Sequence, residues 1–244
     1  NIIASEKPDV IFHLAALADV DKCEEQKSLG KESLAYKINV EGTRNVIEAC
    51  KAGNKKIIYI STDFVFDGKN PPLDGYTEED TPNPINWYAQ TKYEGEEIVE
   101  NAGIPYVIMR IAYPFSNTFF EAKPDFVHAM MKRFEEGKTV AAITDHIMTP
   151  TYLDDVALAL DKLIETDTQG IFHIVGSQSI TPFAVAQLIV KKFTYDTSLI
   201  QKTTRGEYFE GRAKRPLNLS MNNAKVKKLG VQMRTFEEGL KELI

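Results

Sequence analysis

The sequence predicts an α/β fold: a doubly wound parallel sheet with helices on both faces and a small C-terminal lobe. Three observations predict it. Continuous apolar runs recur at 10–16, 56–61, 106–109 and 170–175, the pattern of strands buried on both faces. Between them lie helical stretches stopped by Gly53, Gly103 and Gly137 or started by Thr181. Strand and helix alternate along the chain, which is the order of a parallel sheet rather than of hairpins.

At 244 residues the chain is long enough for one large domain, or a large one with a smaller lobe. Its 43% hydrophobic and 26% charged residues place it with globular proteins rather than disordered ones. A formal charge of -6 argues against a nucleic-acid surface, which would show a basic excess. No apolar run approaches the roughly 20 residues that span a bilayer, and Asn1 to Lys7 lacks the basic-then-apolar pattern of a signal peptide. Cys23 and Cys50 form no CxxC pair, and the four histidines show no ligand spacing, so no metal site is expected. A reducing, cytoplasmic setting is the default.

Taken in order, Val10 opens the first strand after Pro8-Asp9, and residues 20–33 read as polar loop or short helix. Leu34, Ile38, Val46, Ile47 and Cys50 mark a helix that Gly53 terminates. The second strand ends in Ser61-Thr62-Asp63, and residues 67–86, rich in proline and without periodicity, form a long loop. A helix over 88–102 leads to the third strand, which ends near Ile111-Ala112-Tyr113. Helices are then predicted over 125–136, 152–165, 181–193 and 236–243. Strands are predicted over 139–143 and 170–175. In the 152–165 helix, Asp154 and Asp155 occupy the first turn, where the dipole favours acids.

In a sheet of this kind a site forms beyond the carboxyl ends of the strands. Three segments fall there: Ala15-Ala16-Leu17, Thr62-Asp63 and Ile111-Ala112-Tyr113. Tyr88 and Lys92, four apart at a helix start, share a face. An ammonium beside a phenol lowers the phenol's pKa and makes it an acid-base group, and a hydroxyl such as Thr62 can polarise a carbonyl. The spacing alone proves nothing: ten tyrosines at this chain's lysine frequency give about one such pair by chance.

Context carries the weight. A buried strand ending in Ser61-Thr62-Asp63-Phe64-Val65-Phe66-Asp67-Gly68, a proline-rich loop, and Tyr88-x-x-x-Lys92 followed by Gly95-Glu96 form a composite. It resembles the extended short-chain dehydrogenase/reductases, and within them the dTDP-4-dehydrorhamnose reductase branch. Ala15-Ala16 with Val20-Asp21-Lys22, Asn39-Val40, Thr149-Pro150-Thr151 and Arg215-Pro216 support the resemblance in order along nearly the whole chain.

The resemblance implies a Rossmann-like fold with residues 1–145 mainly in the nucleotide-binding core. Residues 146–244 would supply further core elements and the substrate lobe. It implies NADP(H) or NAD(H) as cofactor, a nucleotide-sugar substrate, no nucleic-acid or membrane partner, and it allows a homodimer. By it Tyr88 gives a proton to a sugar C4 carbonyl, Lys92 lowers its pKa and holds the nicotinamide ribose, and Thr62 orients the carbonyl. Ala15, Ala16 and Leu17 would line the cofactor, with Asn39 supporting the lysine. Asp63, Tyr113 and Arg215 would meet the substrate, Tyr113 where the family carries a tryptophan and Arg215 at the nucleotide phosphates.

Plainer readings stand beside these. Asn39 as a helix cap, Asp63 as a turn former, Tyr113 as a rim aromatic and Arg215 as a solvated cation all fit the same residues, and His13 reads as a satisfied core histidine.

The sequence also departs from the family. It contains no Gly-rich phosphate turn, GxGxxG or GxxGxxG. The expectation is that a βαβ unit of roughly 45 to 60 residues is missing ahead of Asn1. Residues 10–14 would then be a bare sheet edge and cofactor binding would be largely lost. His146 and Met148 replace the family's usual Gln and Gly before Pro150-Thr151. Two other readings stay open: an epimerase or dehydratase of nucleotide sugars, and a non-catalytic subunit like the regulatory subunit of methionine adenosyltransferase.

Overall fold

The structure, a computed structural model, describes residues 2–244. The chain runs α1 (Ile2–Glu6), β1 (Val10–His13), α2 (Val20–Glu25), α3 (Leu34–Tyr36), a π-helical turn (Lys37–Glu41), α4 (Gly42–Gly53), β2 (Lys56–Thr62) and α5 (Trp87–Glu100). It continues through β3 (Tyr106–Ile111), β4 (Pro114–Phe115), α6 (Phe126–Glu135), β5 (Val140–Ile143), β6 (Thr151–Tyr152), α7 (Leu153–Glu165) and β7 (Gly170–His173). The last elements are α8 (Pro182–Phe193), β8 (Ile200–Thr203), α9 (Arg205–Tyr208), α10 (Ala224–Lys227) and α11 (Phe236–Glu242).

The main sheet has the order β1-β2-β3-β7, all parallel. The alternation of β2 explains why helices cover both faces. Ile57 and Tyr59 pack with Ile108 against Ile47 and Cys50 of α4 and Val99 of α5. Ile58 points the other way and packs with Val107, Met109 and Phe172 against Ala159 and Leu163 of α7. Each such fully buried side chain is worth about 1.5–3 kcal/mol of transfer free energy, so the central strands hold the core. β1 is the edge strand, and Phe12 and Leu14 are exposed there.

A second, smaller layer is built by β5 and β8, paired in parallel, with α6 and α8 packed around Val127, Phe134, Val140, Val185 and Ile189. β4 and β6 pair in parallel as a separate two-stranded sheet.

The local signals explain most boundaries. Asp125 accepts hydrogen bonds from the Val127 and His128 amides and starts α6, while Thr181 does the same for α8 through Ala184. Thr235 and Glu238 form a capping box on α11. Two differences from the sequence expectation matter. The helix expected from Leu34 to Cys50 is interrupted by the π turn at Lys37–Glu41, and Gly53 is its last residue, with Asn54 rather than the glycine taking the left-handed cap conformation (φ 46°). β8 was not foreseen, because its residues Ile-Gln-Lys-Thr are half-exposed and lack an apolar run.

Candidate active site

A cleft of about 470 Å³ opens beyond the carboxyl ends of β1, β2 and β3. Alternate residues of the extended segment after β1, Leu14, Ala16 and Ala18, form one wall. The end of β2 supplies Ser61, Thr62 and Asp63, α5 supplies Tyr88 and Lys92, and the segment after β3 supplies Tyr113. Phe209 and Arg215 close the far side. The strands therefore bring together residues from 14 to 215.

The start of α5 is fixed from three directions. Asn86 accepts a hydrogen bond from the Ala89 amide (2.9 Å) and donates to the Lys214 carbonyl (3.0 Å), while the Trp87 amide donates to Glu24 (2.6 Å). Tyr88 is the second residue of this clamped helix. Its phenol is raised above the usual tyrosine range, first by burial, with Asp63 and Cys23 adding to the shift and a hydrogen bond with Thr62 opposing it. This differs from the expectation that Lys92 would lower it: in the structure burial dominates, and the phenol is held in its protonated form.

Lys92, one turn on, is buried and donates to the Ile60 carbonyl at 2.7 Å. Burial lowers its pKa to about 7, with Glu96 acting in the opposite sense. Thr62 caps the turn Asp63–Val65 by accepting from the Phe64 amide (3.2 Å), and its hydroxyl donates to Asp63 Oδ1 (3.1 Å). The other oxygen, Asp63 Oδ2, and the neighbouring Ser61 Oγ are buried without a hydrogen-bond partner.

Burial raises the Asp63 pKa from 3.8 to about 7. A raised carboxyl favours the folded state below the unfolded pKa, and that contribution is lost as pH rises through 7. Asp63→Asn is therefore expected to change stability little at pH 4 and to stabilise by on the order of 2–4 kcal/mol above pH 7. Thermal unfolding at both pH values checks this. An equal effect at the two would show that Asp63 is not held protonated.

Asn39 does not cap a helix. It lies inside the π turn, buried, and pairs with both backbone groups of Leu17, accepting from its amide (2.8 Å) and donating to its carbonyl (3.1 Å). It also donates to Thr91 Oγ1 (2.9 Å), which donates to the Tyr88 carbonyl (2.9 Å). Asn39 thus ties the wall after β1 to the helix carrying Tyr88, one turn from Lys92. It does so by holding the backbone of Leu17; Ala15 and Leu17 do not line the cleft, whereas Ala16 does.

His13 is buried behind this network and meets Thr43 Oγ1 at 2.9 Å. Thr43 spends its own proton on the Asn39 carbonyl (2.6 Å), so His13 Nε2 is the donor. Its pKa falls to about 4, by burial and then by Lys92, so it is neutral, as a satisfied core histidine should be.

Tyr113 has φ 41°, a strained value for a bulky side chain that aims its ring into the cleft. Its hydroxyl donates to His146 Nε2 (2.9 Å), while His146 Nδ1 donates to the Pro216 carbonyl (3.0 Å). Sequence reasoning noted His146 only as a departure from the family; its partners lie 33 and 70 positions away and left no local signal. Arg215 is buried rather than solvated. Its Nη1 donates to Asp21 Oδ1 (2.8 Å), and its guanidinium lies 4.7 Å from the Phe209 ring centre. Arg212 shares the same aspartate. Burial pushes Asp21 up, but the hydrogen bonds from Arg215 and Arg212 outweigh it and hold its pKa at about 2. Two guanidinium groups on one carboxylate leave a net positive charge at the rim.

Comparison with known proteins adds to this geometry. The family model of the RmlD substrate binding domain matches residues 1–244. The chain belongs to this family. Its relatives include dTDP-4-dehydrorhamnose reductase from Aggregatibacter actinomycetemcomitans, 31% identical over 100% of this chain and 83% of that protein. Methionine adenosyltransferase 2 subunit beta from Mus musculus is also 31% identical, over 99% of this chain and 71% of that protein. A crystal structure of dTDP-4-dehydrorhamnose reductase from Bacillus anthracis in complex with NADP superposes with a TM-score of 0.88. Its identity is 31%, over 99% of this chain and 82% of that one.

The RmlD-type chain thus has the Rossmann-like fold and the reductase-branch membership that its motifs implied, in a family of NAD(P)-dependent oxidoreductases. Among the described residues no cluster of side chains suits a metal ion, and no helix is long and apolar enough to cross a membrane.

Proposed function

We propose that this protein reduces the C4 keto group of a nucleotide-linked deoxysugar with NADPH or NADH. The observation that carries the reading is the convergence of Thr62, Tyr88 and Lys92 on one cleft at the strand ends.

The cleft suits a nicotinamide nucleotide. Leu14, Ile60 and Ile111 give an apolar floor, Lys92 offers a cation, and Ser61 Oγ and Asp63 Oδ2 are buried polar atoms in need of partners. Lys92 and Tyr88 would hold the nicotinamide ribose, with Ala16 and the Asn39-anchored backbone of Leu17 beside them. Bound there, the cofactor supplies a hydride. When the sugar binds, Thr62 turns its hydroxyl proton from Asp63 Oδ1 to the C4 carbonyl, and Tyr88 gives its proton to the C4 oxygen as charge develops. A raised pKa suits this direction, because the phenol arrives as the acid. Asp63 assists at the sugar, Tyr113 offers a ring face that His146 holds still, and Arg215 with Arg212 places positive charge at the rim for the nucleotide phosphates.

In the same reading residues 1–145 supply most of the nucleotide-binding core, and residues 146–244 add further core elements and the sugar lobe. The unpaired cysteines fit a reducing, cytoplasmic setting. The outer groove between α4 and α5, lined mainly by Arg44, Glu48, Lys51, Glu94, Glu97 and Ile98, offers a second copy a surface of mixed charge for a homodimer.

The relation to methionine adenosyltransferase 2 subunit beta favours a second reading, a binding subunit without turnover. One assay separates the two: NADPH oxidation in the presence of dTDP-4-dehydrorhamnose. Sugar-dependent oxidation is expected; saturable sugar binding with no oxidation would favour the second reading.

A further inference from the structure

Lys92 is a buried cation whose surroundings leave one question open. The acid that acts on it, Glu96, is engaged by Arg110 through a bidentate pair with a shortest contact of 2.7 Å. His13 faces Lys92 from β1 and, if charged, would repel it. Tyr88 lies one turn back on the same helix. The contact that directly covers the ammonium comes from β2: Lys92 Nζ lies 4.0 Å from the ring centre of Tyr59. Tyr59 is fully buried, and its hydroxyl donates to the main-chain carbonyl of Lys92 at 3.3 Å. Gly95, at the next turn of α5, makes this possible, because a Cβ there would collide with the Tyr59 hydroxyl.

We propose that Tyr59 is a positioning residue for Lys92, holding the ammonium on its ring face and the lysine backbone with its hydroxyl. The proposal rests on the reading of Lys92 as the group that holds the cofactor ribose beside Tyr88. An ammonium carries three N–H donors. One goes to the Ile60 carbonyl, the aromatic face meets the charge without consuming an acceptor, and Lys92 still lines the cleft with donor capacity to spare. A carboxylate in the place of the ring would pair with the ammonium and turn it away from the cleft. The aromatic face stabilises the cation and leaves its direction free.

The test reads the lysine itself, without turnover. Carbon-13 NMR of the lysine ε-carbons, assigned with Lys92→Met, follows the titration of Lys92 in the cofactor-free protein. In the wild type it is expected at about pH 7. Tyr59→Phe keeps the ring and should leave the midpoint within about 0.3 pH unit, whereas Tyr59→Leu removes the face and should lower it by about one unit. Pentafluorophenylalanine at position 59, which keeps the shape and reverses the charge on the ring face, should shift it as Leu does and serves if Tyr59→Leu does not fold. An unchanged midpoint in the fluorinated protein, or an equal shift in Tyr59→Phe, would overturn the proposal. Sugar-dependent NADPH oxidation by the wild type keeps the two questions apart. If it is absent while the midpoints move as expected, the functional reading falls and Tyr59 still positions Lys92. If it is present while the midpoints do not move, the Tyr59 proposal alone falls.

Discussion

Tyr88→Phe is expected to lower kcat for the 4-keto sugar by about two to four decades, with little change in KM or thermal stability. In the proposed reaction the phenol is the acid that meets the carbonyl oxygen, and the substitution removes only that proton donor. The ring stays where it is, edge-on to Phe64 with centroids 6.2 Å apart, on a helix whose start is fixed by Asn86 and Glu24. The hydroxyl's partner, Thr62, retains its own hydrogen bonds to Asp63 and the Phe64 amide, so the cleft does not collapse. Steady-state kinetics with unfolding curves for both proteins check this. Equal rates would remove Tyr88 from the mechanism.

Arg110→Leu is expected to destabilise the fold by about 3–5 kcal/mol. Arg110 on β3 and Glu96 on α5 are both about 1% exposed, and the pair is bidentate. The remaining guanidinium edge meets His173 Nε2 at 3.4 Å, and His173 Nδ1 is turned to the carbonyls of Tyr76 and Asn222. Burial first, then Arg110, lowers the His173 pKa to about 3, so the imidazole is neutral and accepts from the arginine. Removing Arg110 leaves a carboxylate in the core without its hydrogen-bonded counter-charge. Replacing both partners, Arg110→Leu with Glu96→Leu, should recover much of the loss, because the unpaired charge rather than the absent pair carries the cost. Thermal midpoints of the single and double variants measure it, and a double variant no more stable than the single one would contradict the assignment.

Both predictions concern α5, and the sequence made that helix legible in unequal parts. Its capping signals and the Tyr88–Lys92 face are local, and periodicity finds such features. The strands end where their apolar runs end, which placed Thr62 and Tyr113 at the rim of one cleft. The partners of these residues are another matter. Asp21 holds Arg215 across 194 positions, His146 holds Tyr113 across 33, and Asn39 reaches Leu17 and Thr91 from a π turn with no mark in the apolar spacing. Such contacts follow from the stacking of elements, not from composition. The same holds for the Tyr88 pKa. A lysine four positions away suggests a lowered phenol, but desolvation of the half-buried phenol dominates while the lysine turns toward Ile60 and Tyr59, so the shift runs upward.

The proposed reduction requires that hydride and proton meet at one carbonyl carbon and oxygen in the cleft of Thr62, Tyr88 and Lys92. Isotope transfer tests it most directly: the protein is incubated with dTDP-4-dehydrorhamnose and NADPH deuterated at the nicotinamide C4, and the sugar product is read by NMR. A single deuterium at sugar C4, absent with Tyr88→Phe, is the predicted result. Sugar recovered without deuterium, or labelled equally by wild type and Tyr88→Phe, would overturn the proposed reduction.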